Sequence, residues 1–301
     1  MFFIRYKIPL FITAILIIAI VSIFALKKKD VATNIPTIAI ANYGPHASLA
    51  SVITGIKESL AEEGFIENEN IKYALSDVGF DSSLIGQMIA SLKAQNPKIM
   101  VTLTTPVSQR AKSDVNNIPI VFTAVTDPIA AGLLKSEKQS DSTITGVAEK
   151  DNMQLMIEFA KTILPKVESI GVMYSTAEAN DIAMVQDLTA AANKIGIKVI
   201  AIPTDNPRDI PTNSLKFQNK VDFIYVSGSG PIQPALSAII VAAEKMQIPI
   251  INFDESPVRD NQVLASFGVD CHRIGLHTGA LVARVLKGEE ISQIKPISPG
   301  S

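Results

Sequence analysis

Two stretches constrain the fold of this chain more than anything else in it: Asn117-Ile-Pro-Ile-Val-Phe-Thr-Ala-Val-Thr-Asp-Pro128 and Gln247-Ile-Pro-Ile-Ile-Asn-Phe-Asp-Glu-Ser-Pro257. Each opens with Ile-Pro-Ile, runs through a short apolar segment, meets an acid (Asp127, Asp254) and stops at a second proline. Proline is tolerated at the first residue of a strand, where its missing N–H falls outside the ladder. The apolar run behind it suits a parallel strand buried on both faces. Open α/β sheets bind ligands beyond the carboxyl ends of their strands, where both acids fall. The two stretches therefore read as one structural position occurring twice, in two lobes that face a common cleft.

The segments around them repeat in the same order. In the first half, strands are expected at Thr37–Asn42, Asn70–Leu75, Lys98–Leu103 and Ile118–Thr123, with helices over 48–63, 83–95 and 107–116. Leu49, Val52, Ile56 and Leu60 form one helical face, as do Leu84, Ile85, Met88 and Leu92. In the second half, strands are expected at Ser169–Tyr174, Ile197–Ile202, Asp222–Val226 and Ile248–Phe253. Helices are expected over 178–195, 232–246 and, weakened by Pro207 and Pro211, 205–218. The offset is roughly 125 to 130 residues, about one domain length.

Strand–helix alternation implies parallel sheets with right-handed crossovers, so the expectation is α/β with two Rossmann-like lobes joined by a multi-strand hinge. The competing reading is a single doubly wound domain. A helix at Met153–Leu164 precedes the second lobe. A short strand at Leu264–Phe267 and a helix at His272–Leu286 follow it, the last packing back onto the first lobe. The expected limits are 36–125 plus 268–290 for the first lobe, 146–256 for the second, and a tail over 291–301. Hinge crossings are expected near 123–127, 253–257 and 266–270.

Composition narrows the function. Of 301 residues, 47% are hydrophobic, enough to build packed cores. The net charge of −2 hides an asymmetry, because the first 29 residues carry five basic residues and no acid. Without those five, 22 basic residues face 29 acidic ones, a net charge of −7. Such a body is unsuited to nucleic acid. Ile8 to Leu26 has no charge, and about 19 helical residues reach about 28 Å, close to the ~30 Å of a bilayer core. With Arg5 and Lys7 before it, this segment reads as a signal peptide or an uncleaved signal anchor over 1–30. Lys27–Lys29 weigh toward the opposite orientation. Export to the periplasm, with or without retention at the inner membrane, is the expectation, and a single N-terminal hydrophobic helix precedes the lobes.

No enzyme motif is present: neither G-x-S-x-G nor H-E-x-x-H occurs. His272 and His277 are five apart rather than the four that align two ligands on a helix, so no metal site is expected. Cys271 is the single cysteine, excluding an intrachain disulfide; beside His272 it reads as a buried thiol. Gly228-Ser-Gly230 lacks the following Lys-Ser/Thr of a phosphate loop. No cofactor is implied.

His46-Ala-Ser-Leu49, Ile118 through Gly132, Thr145-Gly-Val147, Ile163-Leu-Pro165, Ile170-Gly-Val-Met-Tyr174 and Glu178-Ala-Asn180 occur in that order. From Pro36 to Gly288 the chain resembles the ABC-transporter substrate-binding proteins that include tryptophan and tyrosine binders. The resemblance implies a type I periplasmic-binding-protein fold. It also implies a small ligand, such as an aromatic or other amino acid, held between the lobes and delivered by a monomer to an ABC permease of the inner membrane. By the same resemblance, ligand contacts fall on Asn42, Tyr43, His46 and Ser48, on Thr104 and Thr105, on Asp127, on Glu178 and Asn180, and on Asp254. Two departures stand out. Ala47 and Ala50 replace the Pro and Asp of His-Pro-x-Leu-Asp, and Gly228-Ser229-Gly230 stands where relatives often have Thr-Asp-Asn, removing a carboxylate that could face an ammonium group.

The residues themselves support a cleft of this kind. Helix N-termini near Ser48, Thr105 and Glu178 suit a carboxylate. Thr104, Thr105 and Ser227 offer hydroxyls; Asp254, Glu178 or Asp127 could pair with an amine; Tyr43 and Tyr174 could stack on a planar group. Each has a plainer role available: His46 as a helix cap, Asp127 as the holder of a turn, Glu178 as a first-turn acid. The alternative output for the same fold is a membrane-anchored sensing domain, and a nucleotide-dependent enzyme is a third, weaker one.

Overall fold

The computed structural model describes residues 35–136, 141–149 and 152–298. The leader and the hydrophobic helix expected over 1–30 lie outside these residues, and among the described residues no helix is long and apolar enough to cross a membrane.

The first half runs β1 (Thr37–Asn42), α1 (Ala47–Glu62), β2 (Lys72–Asp77), α2 (Ile85–Lys93), β3 (Ile99–Leu103), α3 (Thr105–Asp114), β4 (Ile120–Val125) and β5 (Ile144–Ala148). The second runs α4 (Met153–Ile163), β6 (Ser169–Tyr174), α5 (Ala179–Asn193), β7 (Lys198–Pro203), α6 (Ile210–Leu215), β8 (Phe223–Val226), α7 (Leu236–Met246), β9 (Ile250–Asn252), α8 (Ser256–Arg259) and β10 (Ala265–Ser266). Helix α9 (Cys271–Leu286) closes the chain's regular structure apart from a short 3₁₀ turn at Ile291–Gln293.

All strand pairs are parallel. One sheet has the order β2-β1-β3-β4-β5 and the other, read from its far edge, β7-β6-β8-β9-β10. The orders match, so β4 and β9, the two Ile-Pro-Ile stretches, hold the same place in their sheets. Both strands begin two residues later than their patterns suggest, for one reason. Pro119 and Pro249 lie just outside the ladder and contribute only their carbonyls, which accept from Met100 N (2.9 Å) and Ile224 N (3.0 Å). Strand β2 likewise starts at Lys72 rather than Asn70. The Asn70 side chain is engaged in the preceding turn, accepting from Ile66 N and donating to Gly64 O. Helix α3 begins two residues early, because Pro106 sits in its first turn, where an N–H would go unused anyway.

Each sheet is covered on both faces. In the first, Ile38, Ile40 and Val101 pack under α1 and α9, while Ala39, Met100 and Ile120 pack under α2 and α3. The second sheet sits between α4–α5 and α6–α7 in the same way. Helix α9 lies on α1 at backbone contact, as expected for a last helix that returns to the first lobe.

The fifth strand of each sheet corrects the expected chain route. Strand β5 pairs with β4, so the second-lobe limit expected at 146 falls inside a strand of the first sheet. Strand β10 pairs with β9. The chain therefore does not change lobes near 123–127 or 253–257; it does so after β5 and again after β10, between Phe267 and Asp270. Strand β5 is five residues long, interrupted by Gly146, and too short to carry a period of its own. The expected free tail is also partly built in: Ile294 is buried, Thr145 Oγ1 donates to Ile294 O (2.7 Å), and Val147 bridges to Ile297.

Candidate functional site

The carboxyl ends of β1, β3 and β4 in one lobe face those of β6 and β8 in the other across a cavity. The space between its atoms is about 830 Å³ with the mouth included, of which about 80 Å³ admits the centre of a water molecule. Tyr43, His46, Ser48, Thr104 and Thr105 line it from the first lobe; Glu178, Asn180, Asp181, Ser227 and Gln233 line it from the second. Leu49, Val52, Phe80, Met184 and Phe253 supply its apolar surface.

Two hydrogen bonds between described side chains join the lobes. Tyr43 OH donates to Glu178 Oε1 at 2.9 Å, and Ser48 Oγ donates to Asp254 Oδ2 at 2.5 Å. Tyr43 is braced from behind by the Phe80 ring, edge-on at 5.5 Å, and Phe80 N donates to Tyr43 O. Burial, reinforced by the charge of Glu178, pushes the Tyr43 phenol well above its usual range. It therefore remains a donor at any physiological pH.

Several polar atoms in the walls are buried with no hydrogen-bond partner among the described residues: Thr104 Oγ1, Asn180 Oδ1, Ser227 Oγ and Gln233 Oε1. Buried polar groups are almost always satisfied, and unsatisfied ones converging on a cavity are those a ligand there would engage. Thr104 adds a second sign. It is the N-cap of α3 yet makes no side-chain cap, and its φ of 77° lies where a non-glycine residue costs about 1–3 kcal/mol. Pro106 brings no N–H, so at this end of α3 the donors carried by cavity-lining residues are the Thr105 N–H and the Thr104 and Thr105 hydroxyls.

Not every expected residue faces the cavity. His46 lines the wall, and its Nδ1 accepts from Ser48 N as the α1 cap; burial lowers its pKa. Asp127 lies outside the wall, its Oδ1 accepting from Ile129 N and Ala130 N in a turn. The next-door Thr126 lines the cavity instead. Asn42 is buried in the turn after β1, donating to Gly44 O, and Tyr174 is half-buried outside the wall. Asp254 stands in a neighbouring hollow beside the cavity and meets Ser48 there.

Asp181 and Gln233 escaped the sequence reading. Asp181 is 2% exposed; its Oδ2 accepts from Ser175 N (2.7 Å) and Ser229 Oγ (2.6 Å), and its Oδ1 from Asn180 Nδ2. Asp181 thus sets a carboxylate beside Gly228-Ser229-Gly230, with Ser229 as its donor. The same carboxylate makes this turn unsuitable as a phosphate cradle. The available signal was the spacing from Glu178 to Asp181, N-cap to third helical position of α5, which is also the pattern of an ordinary acidic helix start.

Burial, and then the charge of Asp181, raises Glu178 from 4.5 to about 7; burial raises Asp181 from 3.8 to about 6. Raised carboxyl pKa values mean the folded state holds these protons more tightly than the unfolded chain does. Their stabilisation is complete below the unfolded values and is lost as pH rises through about 6 to 7. The ligand-free protein should therefore melt at lower temperature at pH 8 than at pH 5.5. The loss is at most ~3 kcal/mol for Glu178, from 1.36 kcal/mol per unit. Thermal denaturation of the wild type and Glu178→Gln checks this, the variant showing a flatter profile.

With this geometry in place, the comparison with known proteins is decisive. The family model described as ABC transporter substrate binding protein matches residues 37–298. The chain belongs to that family. It is 27% identical over 267 residues to a tyrosine-binding protein of Clostridioides difficile, covering 89% of this chain and 77% of that one. A Streptococcus pneumoniae domain solved in complex with L-Trp superposes with a TM-score of 0.83 at 28% identity, covering 87% and 88% of the two chains. A substrate-binding protein of Clostridium difficile, solved ligand-free and open, gives 0.67 at 26% identity, covering 88% and 90%. The two lobes have the type I periplasmic-binding-protein fold expected from the sequence.

Proposed function

We propose that this protein is the extracytoplasmic solute-binding component of an ABC importer, and that it captures an α-amino acid between its lobes and passes it as a monomer to an inner-membrane permease. The observation that carries this reading is the set of unpartnered buried groups on both walls of a cavity that two cross-lobe hydrogen bonds close. In this reading the ligand carboxylate sits at the start of α3 with Thr104, Thr105 and Ser227. The ammonium sits at Glu178, and the side chain lies among Val52, Phe80, Met184 and Phe253. At similar identity the chain superposes better on the L-Trp complex than on the open ligand-free protein, which supports a closed arrangement here. The closed space is narrow, so the ligand enters before the lobes meet. The relatives' ligands favour an aromatic side chain. The charge-free run Ile8–Leu26 supports export.

A thermal-shift screen across the twenty L-amino acids tests this. A ligand at about 100 times its Kd stabilises the folded state by about 2.7 kcal/mol, a shift of several degrees, and tryptophan or tyrosine is expected among those giving it. No shift with any amino acid, together with a clear shift from an uncharged solute, would overturn the reading.

A further inference from the structure

Among the described residues, the cavity wall around α5 brings acceptors and no Lys or Arg. Glu178 and Asp181 lie within one turn of α5, and Glu149 reaches the same cavity from the end of β5. No lysine or arginine is among the residues lining it. Asn180 Oδ1 and Gln233 Oε1 add two acceptors that have no donor among the described residues, and Gln233 is 5% exposed. The orientation of Gln233 is fixed by a relay. Asn252 Nδ2 donates to Asp254 O, so Asn252 Oδ1 accepts from Gln233 Nε2 at 2.9 Å, leaving Gln233 with its oxygen unused. Two carboxyl groups this close, removed from water, do not both ionise without a counter-charge. An ammonium group, with three N–H donors and a positive charge, is the kind of ligand group such a wall suits.

We infer that Glu178 and Asp181 together seat the ligand's amino group, and that seating it expels to solvent the proton the empty pair retains, so that ligand uptake releases a proton. This rests on the amino-acid reading above. Only a proton and an ammonium ion exchange places, and no covalent bond changes. The raised pKa values of both carboxyls agree with a pair that holds a proton near neutrality when empty. The surrounding groups leave that proton to the pair. The Tyr43 hydroxyl stays neutral and donates to Glu178. Asp205, beyond β7, is held low by hydrogen bonds from Thr176 and Ser175 and acts on Asp181 only as a neighbouring charge. Ser175 and Ser229 donate to Asp181. Glu149 adds negative charge, and His46 and Asp254 stand across and beside the cavity.

The test is titration calorimetry of the purified full chain with L-tryptophan and L-tyrosine in two buffers of different ionisation heat at the same pH: phosphate and imidazole at pH 6.5, borate and Tris at pH 8.5. At pH 6.5 the apparent heats should differ between buffers by the ionisation heat of about half to one proton, and the difference should vanish near pH 8.5. The Kd should weaken by up to about tenfold for each pH unit below about 6. Glu178→Gln or Asp181→Asn should reduce the buffer dependence, and the deaminated analogue indole-3-propionate should bind at least about 100-fold more weakly than tryptophan at pH 8. An amino acid that binds with equal heats in both buffers and with a pH-independent Kd overturns the inference and leaves the amino-acid reading standing. If no L-amino acid gives heat in either buffer, both fall.

Discussion

Replacing Gly230 with valine should cost at least about tenfold to 100-fold in ligand affinity while leaving each lobe folded. A Cβ built at Gly230 would lie 2.5 Å from Tyr43 Cε1 and 3.0 Å from its Cδ1, across the seam between the lobes. Tyr43 cannot retreat within its own lobe, because Phe80 stands against its ring and the Phe80 side chain is itself packed over Gly44. The only relief is separation of the lobes. The overlap, of a kind that typically costs 1–3 kcal/mol, therefore falls on the closed state alone. Calorimetry should show the loss in Kd, and far-ultraviolet circular dichroism should show the secondary structure of the lobes unchanged. An unchanged Kd would mean that the Tyr43–Gly230 approach is not part of the bound state.

The second large effect is on stability. Gly275→Ala should destabilise the protein by about 3 kcal/mol or more, because a methyl group there would meet Val52 O at 2.2 Å. Gly55 faces the same crossing, its Cβ position 2.3 Å from His272 O, and Gly279 lies 2.7 Å from Ile56 O in the same sense. These contacts are with backbone, which cannot rotate out of the way. Helices α1 and α9 would have to part, exposing Val52, Ile56, Ile274 and Val282 from the core beneath them. Chemical denaturation is the appropriate measurement, and a loss below about 0.5 kcal/mol would show that the two helices separate freely. Because α9 is the element that returns from the second lobe, ligand affinity should drop as well.

Much of the architecture was legible before any coordinates. Leu49, Val52, Ile56 and Leu60 mark the buried face of α1 because helical periodicity is a local property, and Asp81 and Gly64 punctuate their helices for local reasons too. The paired Ile-Pro-Ile stretches identified two equivalent strands, since proline can stand only where the ladder has no use for its N–H. Motif resemblance placed Tyr43, His46, Ser48, Thr104 and Glu178 on the cavity wall. Strand β5 was not legible, because five residues carry too little pattern and it forms on the edge that β4 offers; β10 was expected over 264–267, and the structure keeps Ala265–Ser266 of it.

What the sequence by itself determined is the duplicated α/β unit, its buried faces and the lobe-to-lobe cleft, all of which follow from short-range spacing and steric rules. Only the tertiary structure decided which side chains share the cavity. Asp127 and Tyr174 were turned aside by a turn and by the position of β6, while Asp181 and Ser229, 48 residues apart, were brought to 2.6 Å. That meeting depends on how two loops from neighbouring parallel strands converge, and no single stretch of chain encodes the distance between its strand ends.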